Sequence, residues 1–122
     1  MVKKDIVITA ASRTAVGSLG RSLKNIPGAE LGSAVILESI KRSKVKVEEI
    51  DEVIMGQVLV AGAGQNPARQ AAINAGIPIS KPSYLVNQVC GSGLRAVISG
   101  FQSIKLGDLK NVENSHFLCI FF

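Results

Sequence analysis

The sequence predicts an α/β domain built around a largely parallel sheet. Three short apolar runs, at residues 6–9, 53–55 and 84–86, have the length and composition of buried strands. Segments with apolar residues at helical spacing lie between and after them. Strands that alternate with helices form crossover units, so we expect parallel strands with helices packed against the sheet.

Composition limits the class of protein. The chain has 122 residues, of which 47% are hydrophobic and 19% charged, which suits one globular domain. No apolar run is long enough to cross a bilayer, and no cleavage site follows the charged N-terminus. We therefore expect a cytoplasmic protein that does not bind membranes. Its two cysteines, Cys90 and Cys119, are then expected to be reduced.

The positive charge has an ordinary explanation. The net charge is +5, and one loose cluster spans residues 41–46. Cations favour a helix C-terminus, so we interpret the cluster as a solvated helix end. Attraction of a polyanion is the alternative. Nucleic acid is not an expected partner, because the chain has one tyrosine, no tryptophan and no aromatic residues among its basic ones.

The first half begins with the strand at 6–9, which is predicted to be fully buried. Glycines and a proline then mark a loop that leads into a helix over residues 29–43. After an acidic turn comes the strand at 53–55, with an extension toward Val60, and a glycine-rich loop at 61–64. Asn66 as N-cap and Pro67 at the first helical position predict a helix that ends near Ala75.

The second half contains the strand at 84–86 and a long helix that begins after Cys90, runs to Leu106 and is closed by Gly107. The last twelve residues differ, because they are hydrophobic and hold two phenylalanines at the very end. We expect a domain over residues 1–110 and an atypical tail over residues 111–122, which we interpret as the product of truncation or a frameshift. The apolar residues of the helix predicted to be buried are Leu94, Val97, Ile98, Phe101 and Ile104.

Cys90 is the candidate nucleophile. It follows a buried strand and stands at the predicted N-terminus of the long helix, where unpaired N–H groups and a partial positive charge favour a thiolate. The small residues Gly91, Ser92 and Gly93 are expected to let a substrate approach the sulfur. The Cys90 N–H is expected to help hold an oxyanion. From the residues alone, a buried structural cysteine remains the alternative.

Other candidate motifs do not indicate a catalytic or binding site. Gly62 and Gly64 do not form a dinucleotide fingerprint, because Pro67 stands where the third glycine belongs. We interpret their loop as an interface segment. Ser12 and Ser92 have no histidine or aspartate nearby in sequence, so a serine nucleophile is not expected, and Ser92 is interpreted as a turn residue that caps the helix. No metal site is expected.

Residues 87–94, Asn-Gln-Val-Cys-Gly-Ser-Gly-Leu, resemble the acyl-enzyme motif of thiolases. Segments at 5–17, 53–70 and 103–108 resemble further thiolase segments in the same order. The resemblance implies a thiolase-like layered αβαβα fold, of which this chain is an incomplete N-terminal half. It also implies acetyl transfer between coenzyme A thioesters through an acyl group on Cys90, interconverting two acetyl-CoA with acetoacetyl-CoA and coenzyme A.

The resemblance implies coenzyme A thioesters as substrates, no permanently bound cofactor, and a homodimer or homotetramer when the protein is complete. Gln65, Asn66 and Arg69 are then expected near a partner subunit. Thiolases also use a histidine and a second cysteine in glycine-rich loops. His116 and Cys119 lack flanking glycines, so we assign them neither role, and cofactor-binding residues stay unassigned.

Two alternatives remain beside the enzyme. One is a truncated, catalytically inactive thiolase remnant that at most pairs with a complete subunit. The other is a ketoacyl-synthase-like condensing enzyme, which also places a cysteine at a helix start. The string Gln-Val-Cys-Gly-Ser-Gly-Leu favours a thiolase over the condensing enzyme.

Overall fold

The computed structural model describes residues 5–109 and the backbone of residues 116–118. A three-stranded sheet has the order β2-β1-β3, and both outer strands run parallel to β1. This alternation of parallel strands and helices confirms the predicted α/β class. The elements in chain order are α1 (Gly28–Ser43), a 3-10 turn (Val47–Glu49), β1 (Val53–Gly56), α2 (Pro67–Asn74), β2 (Ser83–Val86), α3 (Ser92–Leu106) and β3 (His116–Leu118).

Helices cover both faces of the sheet. Side chains alternate along a strand, so Val53 and Met55 of β1 point to one face, and Gly56 points to the other. Val53 and Met55 belong to an aliphatic core shared with α1 and α2, while Gly56 lies against α3. The remaining buried members of that core are Ala29, Val35, Ile36, Ile50, Ala68, Ala71, Ala72, Ala75 and Ile77.

Helix ends follow the predicted signals. Asn66 caps α2, since its side chain accepts a hydrogen bond from the Arg69 N–H at 3.1 Å, and Pro67 opens the helix. Gly107, with φ of 85°, closes α3 in the left-handed region that glycine adopts without strain. At the end of α1, Arg42 pairs with Glu38 at 2.6 Å. The basic cluster is therefore a charged helix end, as interpreted from the sequence.

The predicted strand at 6–9 is absent from the structure. Those residues have no regular secondary structure, and Val7 and Ile8 are 54% and 71% exposed. A strand needs a neighbour for its backbone N–H and C=O groups. β1 is already flanked by β2 and β3, and residues 6–9 do not pair with the outer edge of either strand in the described sheet.

The predicted orientation of α3 is wrong. Of the five apolar residues expected in the core, only Ile104 is buried, whereas Leu94, Ile98 and Phe101 are exposed and Val97 is half-buried. The buried face consists largely of small residues, which let the helix axis come close to the sheet. Its members are Ser92, Gly93, Ala96, Gly100 and Ile104.

We expect the isolated chain to self-associate, because α3 presents a row of large apolar side chains to solvent. Sedimentation velocity over a range of concentrations measures this, and the expected result is oligomers or aggregates. Replacing Phe101, which is 47% exposed, by glutamine should shift the distribution toward monomer. A parent chain that sediments as a single monomer would contradict the expectation.

The C-terminal segment is described only in part. The backbone of β3 pairs in parallel with β1, Val53 lying opposite His116. Apart from that backbone, residues 111–122, including Cys119, lie outside the described residues. The division at residue 110 therefore stays a prediction. Within the described part of the chain, no helix has both the length and the apolar character needed to span a bilayer.

Candidate active site

Cys90 lies in the turn that joins β2 to α3, at the carboxyl end of the parallel strands. The N–H of Gln57, just after β1, donates to Val86 O at 3.2 Å, so the two strands end side by side. Ligand sites of open α/β sheets lie at this edge. Cys90 is exposed there, and Gly91 is the N-cap of α3. The predicted position of Cys90 next to the helix start is confirmed.

Backbone hydrogen bonds within the turn occupy donors near the helix start. The N–H of Gly91 donates to Gln88 O at 3.0 Å, and that of Ser92 donates to Val89 O at 3.1 Å. These two amides are therefore satisfied inside the turn. An oxyanion formed at Cys90 would need other donors, such as the Cys90 N–H named above.

The sequence suggested a turn residue that caps the helix. In the structure Ser92 stabilises the turn but does not cap the helix. Its hydroxyl accepts from the Gln88 N–H at 3.0 Å and donates to Val89 O at 2.6 Å. Ser92 is already the first residue of α3, and the N-cap, Gly91, makes no side-chain cap. Ser92 therefore stabilises the backbone on the N-terminal side of Cys90.

Asn87 is a residue that the sequence analysis missed. Its Oδ1 accepts a hydrogen bond from the Val89 N–H at 2.9 Å, and its Nδ2 donates to Val58 O at 3.0 Å. One side chain thus joins the loop after β1 to the turn after β2. A polar residue directly after a predicted strand was the available signal, although β2 is half-buried rather than buried as predicted.

Val89 has a rare backbone conformation. Its φ is 50°, in the left-handed region that β-branched residues avoid. Such conformations persist only where neighbouring groups hold them, and they cluster at functional sites. Val89 directly precedes Cys90, so the strain is located at the candidate nucleophile.

Gly56 sets how closely α3 approaches the sheet. A Cβ atom on Gly56 would lie 2.4 Å from the Ser92 carbonyl carbon and 2.5 Å from the Gly93 nitrogen. Ser92 and Gly93 are buried in this contact. The expectation that small residues open the sulfur to substrate stays a prediction: Gly91 is exposed beside Cys90, whereas Ser92 and Gly93 pack against β1.

Hydrogen bonds from α2 hold the glycine-rich loop at 61–64 in place. Gln70 Nε2 donates to Ala63 O and Gln65 O, both at 2.8 Å. The Arg69 guanidinium donates to the carbonyls of Ile79 and Lys81. Contact of this region with a partner subunit stays a prediction, with Gln65 among its exposed residues.

Residues 5–109 contain no histidine and no cysteine other than Cys90. Within residues 5–109, no three histidine, cysteine, aspartate or glutamate side chains cluster as metal ligands would. A cavity of about 350 Å³ is lined by residues 14–20 together with Leu23, Lys24, Ile26 and Leu31. The turn that carries Cys90 does not line this cavity.

Two ionisable groups, Glu52 and Tyr84, lie near the N-terminal ends of β1 and β2. Burial raises the pKa of Glu52, and the nearby Asp108 carboxylate raises it further. Burial and Glu52 also raise the pKa of Tyr84, against the opposing effects of a hydrogen bond with Ser99 and the charge of Arg95. Glu52 precedes β1, whereas Cys90 follows β2, so these groups lie at opposite ends of the parallel strands.

We expect Glu52→Gln to stabilise the chain at neutral pH. Because the pKa of Glu52 is raised in the folded state, the folded chain binds more protons than the unfolded chain just above the ordinary value of 4.5. Stability therefore falls as pH rises through this window, and glutamine removes that loss. Urea unfolding should show a higher midpoint for the variant at neutral pH and a smaller difference below pH 4.5. Glu48→Gln, at an exposed position, is the control, and an equal gain there would contradict the explanation.

Comparisons with known proteins agree on one family. The family described as "Thiolase, N-terminal domain" matches residues 6–112. An acetyl-CoA acetyltransferase of Cupriavidus necator is 56% identical over 108 residues, which are 88% of this chain and 28% of that protein. A mouse protein named "Acetyl-CoA acetyltransferase, cytosolic" is 52% identical over 103 residues, covering 84% of this chain and 26% of that protein.

A solved structure gives the same result. The crystal structure of Acat5 thiolase from Ascaris suum in complex with coenzyme A superposes with a TM-score of 0.69 at 43% identity. The match covers 70% of this chain and 22% of that one. The chain thus spans about a quarter of the length of the curated relatives described above.

Proposed function

This chain belongs to the thiolase family, and its fold is an incomplete thiolase-like α/β fold; from that premise we propose that it contributes the N-terminal domain of an acetyl-CoA acetyltransferase in which Cys90 accepts the acyl group. The observation that carries the proposal is the position of Cys90. It is exposed at the carboxyl edge of the parallel strands, in a turn fixed by Asn87 and Ser92.

The proposed first step is acyl transfer to sulfur. Cys90 Sγ attacks the carbonyl carbon of acetyl-CoA, the carbon–sulfur bond to coenzyme A breaks, and coenzyme A leaves with the proton that Cys90 gives up. The product is a thioester on Cys90. The Cys90 N–H is the donor that we propose for the oxyanion formed on the way.

The proposed second step forms or breaks a carbon–carbon bond. The α-carbon of a second acetyl-CoA, once deprotonated, attacks the acetyl group on Cys90, giving acetoacetyl-CoA and restoring the thiol. The reverse direction starts from acetoacetyl-CoA and coenzyme A. Within residues 5–109 no histidine or second cysteine is present, so we propose that the base lies outside the described residues.

Ligands and setting follow from the same family membership. The Ascaris relative was crystallised with coenzyme A. We propose that coenzyme A thioesters are substrates here, with no permanent cofactor, and that the protein forms a homodimer or homotetramer in the cytoplasm. The division at residue 110 is part of the proposal, with the residues after it as a segment that departs from the family, although the family match itself extends to residue 112.

A second candidate function is an inactive thiolase remnant that pairs with a complete subunit. The exposed apolar face of α3 favours it, because Leu94 and Phe101 are exposed in the described part of the chain. In this case the chain binds other subunits but transfers no acyl group by itself.

Intact-mass measurement after incubation with acetyl-CoA tests the proposal. A stable acetyl adduct at one site would support acyl transfer by this chain alone. A soluble, folded chain that forms no adduct would support the remnant. Coenzyme A added afterwards should remove the adduct from an enzyme, because the half-reaction is reversible.

A further inference from the structure

We propose that Asn87 is a positioning residue, which fixes Cys90 at the start of α3 by holding Val89 in its left-handed conformation. The inference rests on the proposed role of Cys90 as nucleophile. It gives the exposed side chain of Asn87 a function that core packing cannot supply.

Both polar atoms of the Asn87 side-chain amide make hydrogen bonds. The donor end binds Val58 O at 3.0 Å, 29 positions away in sequence, and the acceptor end binds the Val89 N–H at 2.9 Å. An amide side chain has a donor and an acceptor on one rigid group, whereas a carboxylate has acceptors alone. Asn87 therefore anchors the turn to the loop after β1.

Val89 is held at both of its backbone polar groups. Its N–H donates to Asn87 Oδ1, and its carbonyl accepts from the Ser92 hydroxyl at 2.6 Å. A β-branched residue at φ of 50° relaxes to an extended or helical conformation when such bonds are absent. That relaxation would rotate the following residue, Cys90, away from the helix N-terminus.

The helix N-terminus is where sulfur is expected to be most reactive. A fixed backbone there holds the sulfur in one orientation toward an incoming electrophile. Loss of the Asn87 bond therefore should lower the reactivity of Cys90 although Asn87 does not touch the reacting atoms. Replacing Val89 by glycine should remove this dependence, because glycine adopts positive φ without strain.

The experiment measures the alkylation rate of Cys90 by iodoacetamide, which does not require thiolase activity. Asn87→Ala, Val89→Gly and the double variant are compared in a Cys119→Ser background, so that Cys90 is the single thiol. We expect Asn87→Ala to lower the rate roughly fivefold, the size of one net hydrogen bond. In the Val89→Gly background, Asn87→Ala should lower the alkylation rate by less than about twofold.

Gln88→Ala is the matched control, because it removes an exposed amide side chain from the same turn. Its rate should stay near that of the parent. If Asn87→Ala lowers the alkylation rate equally in the parent and in the Val89→Gly background, the inference is overturned. An unchanged rate in Asn87→Ala would also overturn it. If Asn87→Ala loses its helical circular dichroism, restoration by Val89→Gly supports the same role, and no restoration overturns it.

Acetyl-CoA labelling of the parent separates this inference from the proposed function. Absence of labelling with the expected alkylation pattern would reject acyl transfer by the chain and keep the positioning role of Asn87. Labelling with an alkylation rate that is the same in all variants would support acyl transfer and reject the role of Asn87.

Discussion

Cys90→Ala is expected to abolish the acetyl adduct formed with acetyl-CoA, and Cys119→Ala is expected to leave it unchanged. Alanine has no nucleophilic atom, so no thioester forms at position 90. Cys90 is exposed, and its removal leaves no buried cavity, so the fold should persist. Intact-mass spectrometry of both variants, with circular dichroism as a check on folding, measures this.

The paired cysteine variants make the assignment of the nucleophile specific. An adduct that persists in Cys90→Ala and disappears in Cys119→Ala would place the reactive thiol in the C-terminal segment. An adduct that persists in both would indicate acylation of an amine or of either thiol without selectivity. Either outcome would contradict the role proposed for Cys90.

Gly56→Ala is expected to destabilise the chain by about 3 kcal/mol and to suppress the reactivity of Cys90. The new methyl group would lie 2.4 Å from the Ser92 carbonyl carbon, so either α3 or β1 must move. Overpacking costs about 1–3 kcal/mol, and the upper end applies because the obstacle is backbone. Displacement of the α3 N-terminus also displaces the turn that carries Cys90.

Gly62→Ala is the control for Gly56→Ala. A Cβ atom at Gly62 would meet nothing within 4 Å, although its φ is 73°. Its cost should be confined to backbone strain of about 1 kcal/mol, with no effect on Cys90. Urea unfolding and the iodoacetamide rate are measured for both variants. Equal reactivity of Cys90 in the two variants would contradict the proposed contact between Gly56 and α3.

Local signals in the sequence predicted α1, α2, α3, β1 and β2 near their observed positions. Asn66 and Pro67 start α2, and Gly107 ends α3, because capping and backbone preferences act within a few residues. The place of Cys90 next to the start of a helix follows from the same local pattern, whereas its exposure is visible only in the structure. Its role as nucleophile stays a prediction.

The order of motifs also indicated the family. The string around Cys90 and the segments before and after it resembled thiolases, and the family match over residues 6–112 confirmed that resemblance. Short sequence motifs identify a family because the same local chemistry recurs at fixed positions. They do not show which contacts hold those positions in place.

The α/β class, the family and the place of Cys90 at a helix start could therefore all be predicted from the sequence. The tertiary structure alone decided that α3 packs through small residues, that residues 6–9 form no strand, and that Asn87 reaches Val58. Local conformation depends on neighbours within a turn or two of chain. Packing between β1 and α3, in contrast, depends on contacts such as that of Gly56 with Ser92, which lie far apart in sequence and which hydrophobic periodicity does not specify.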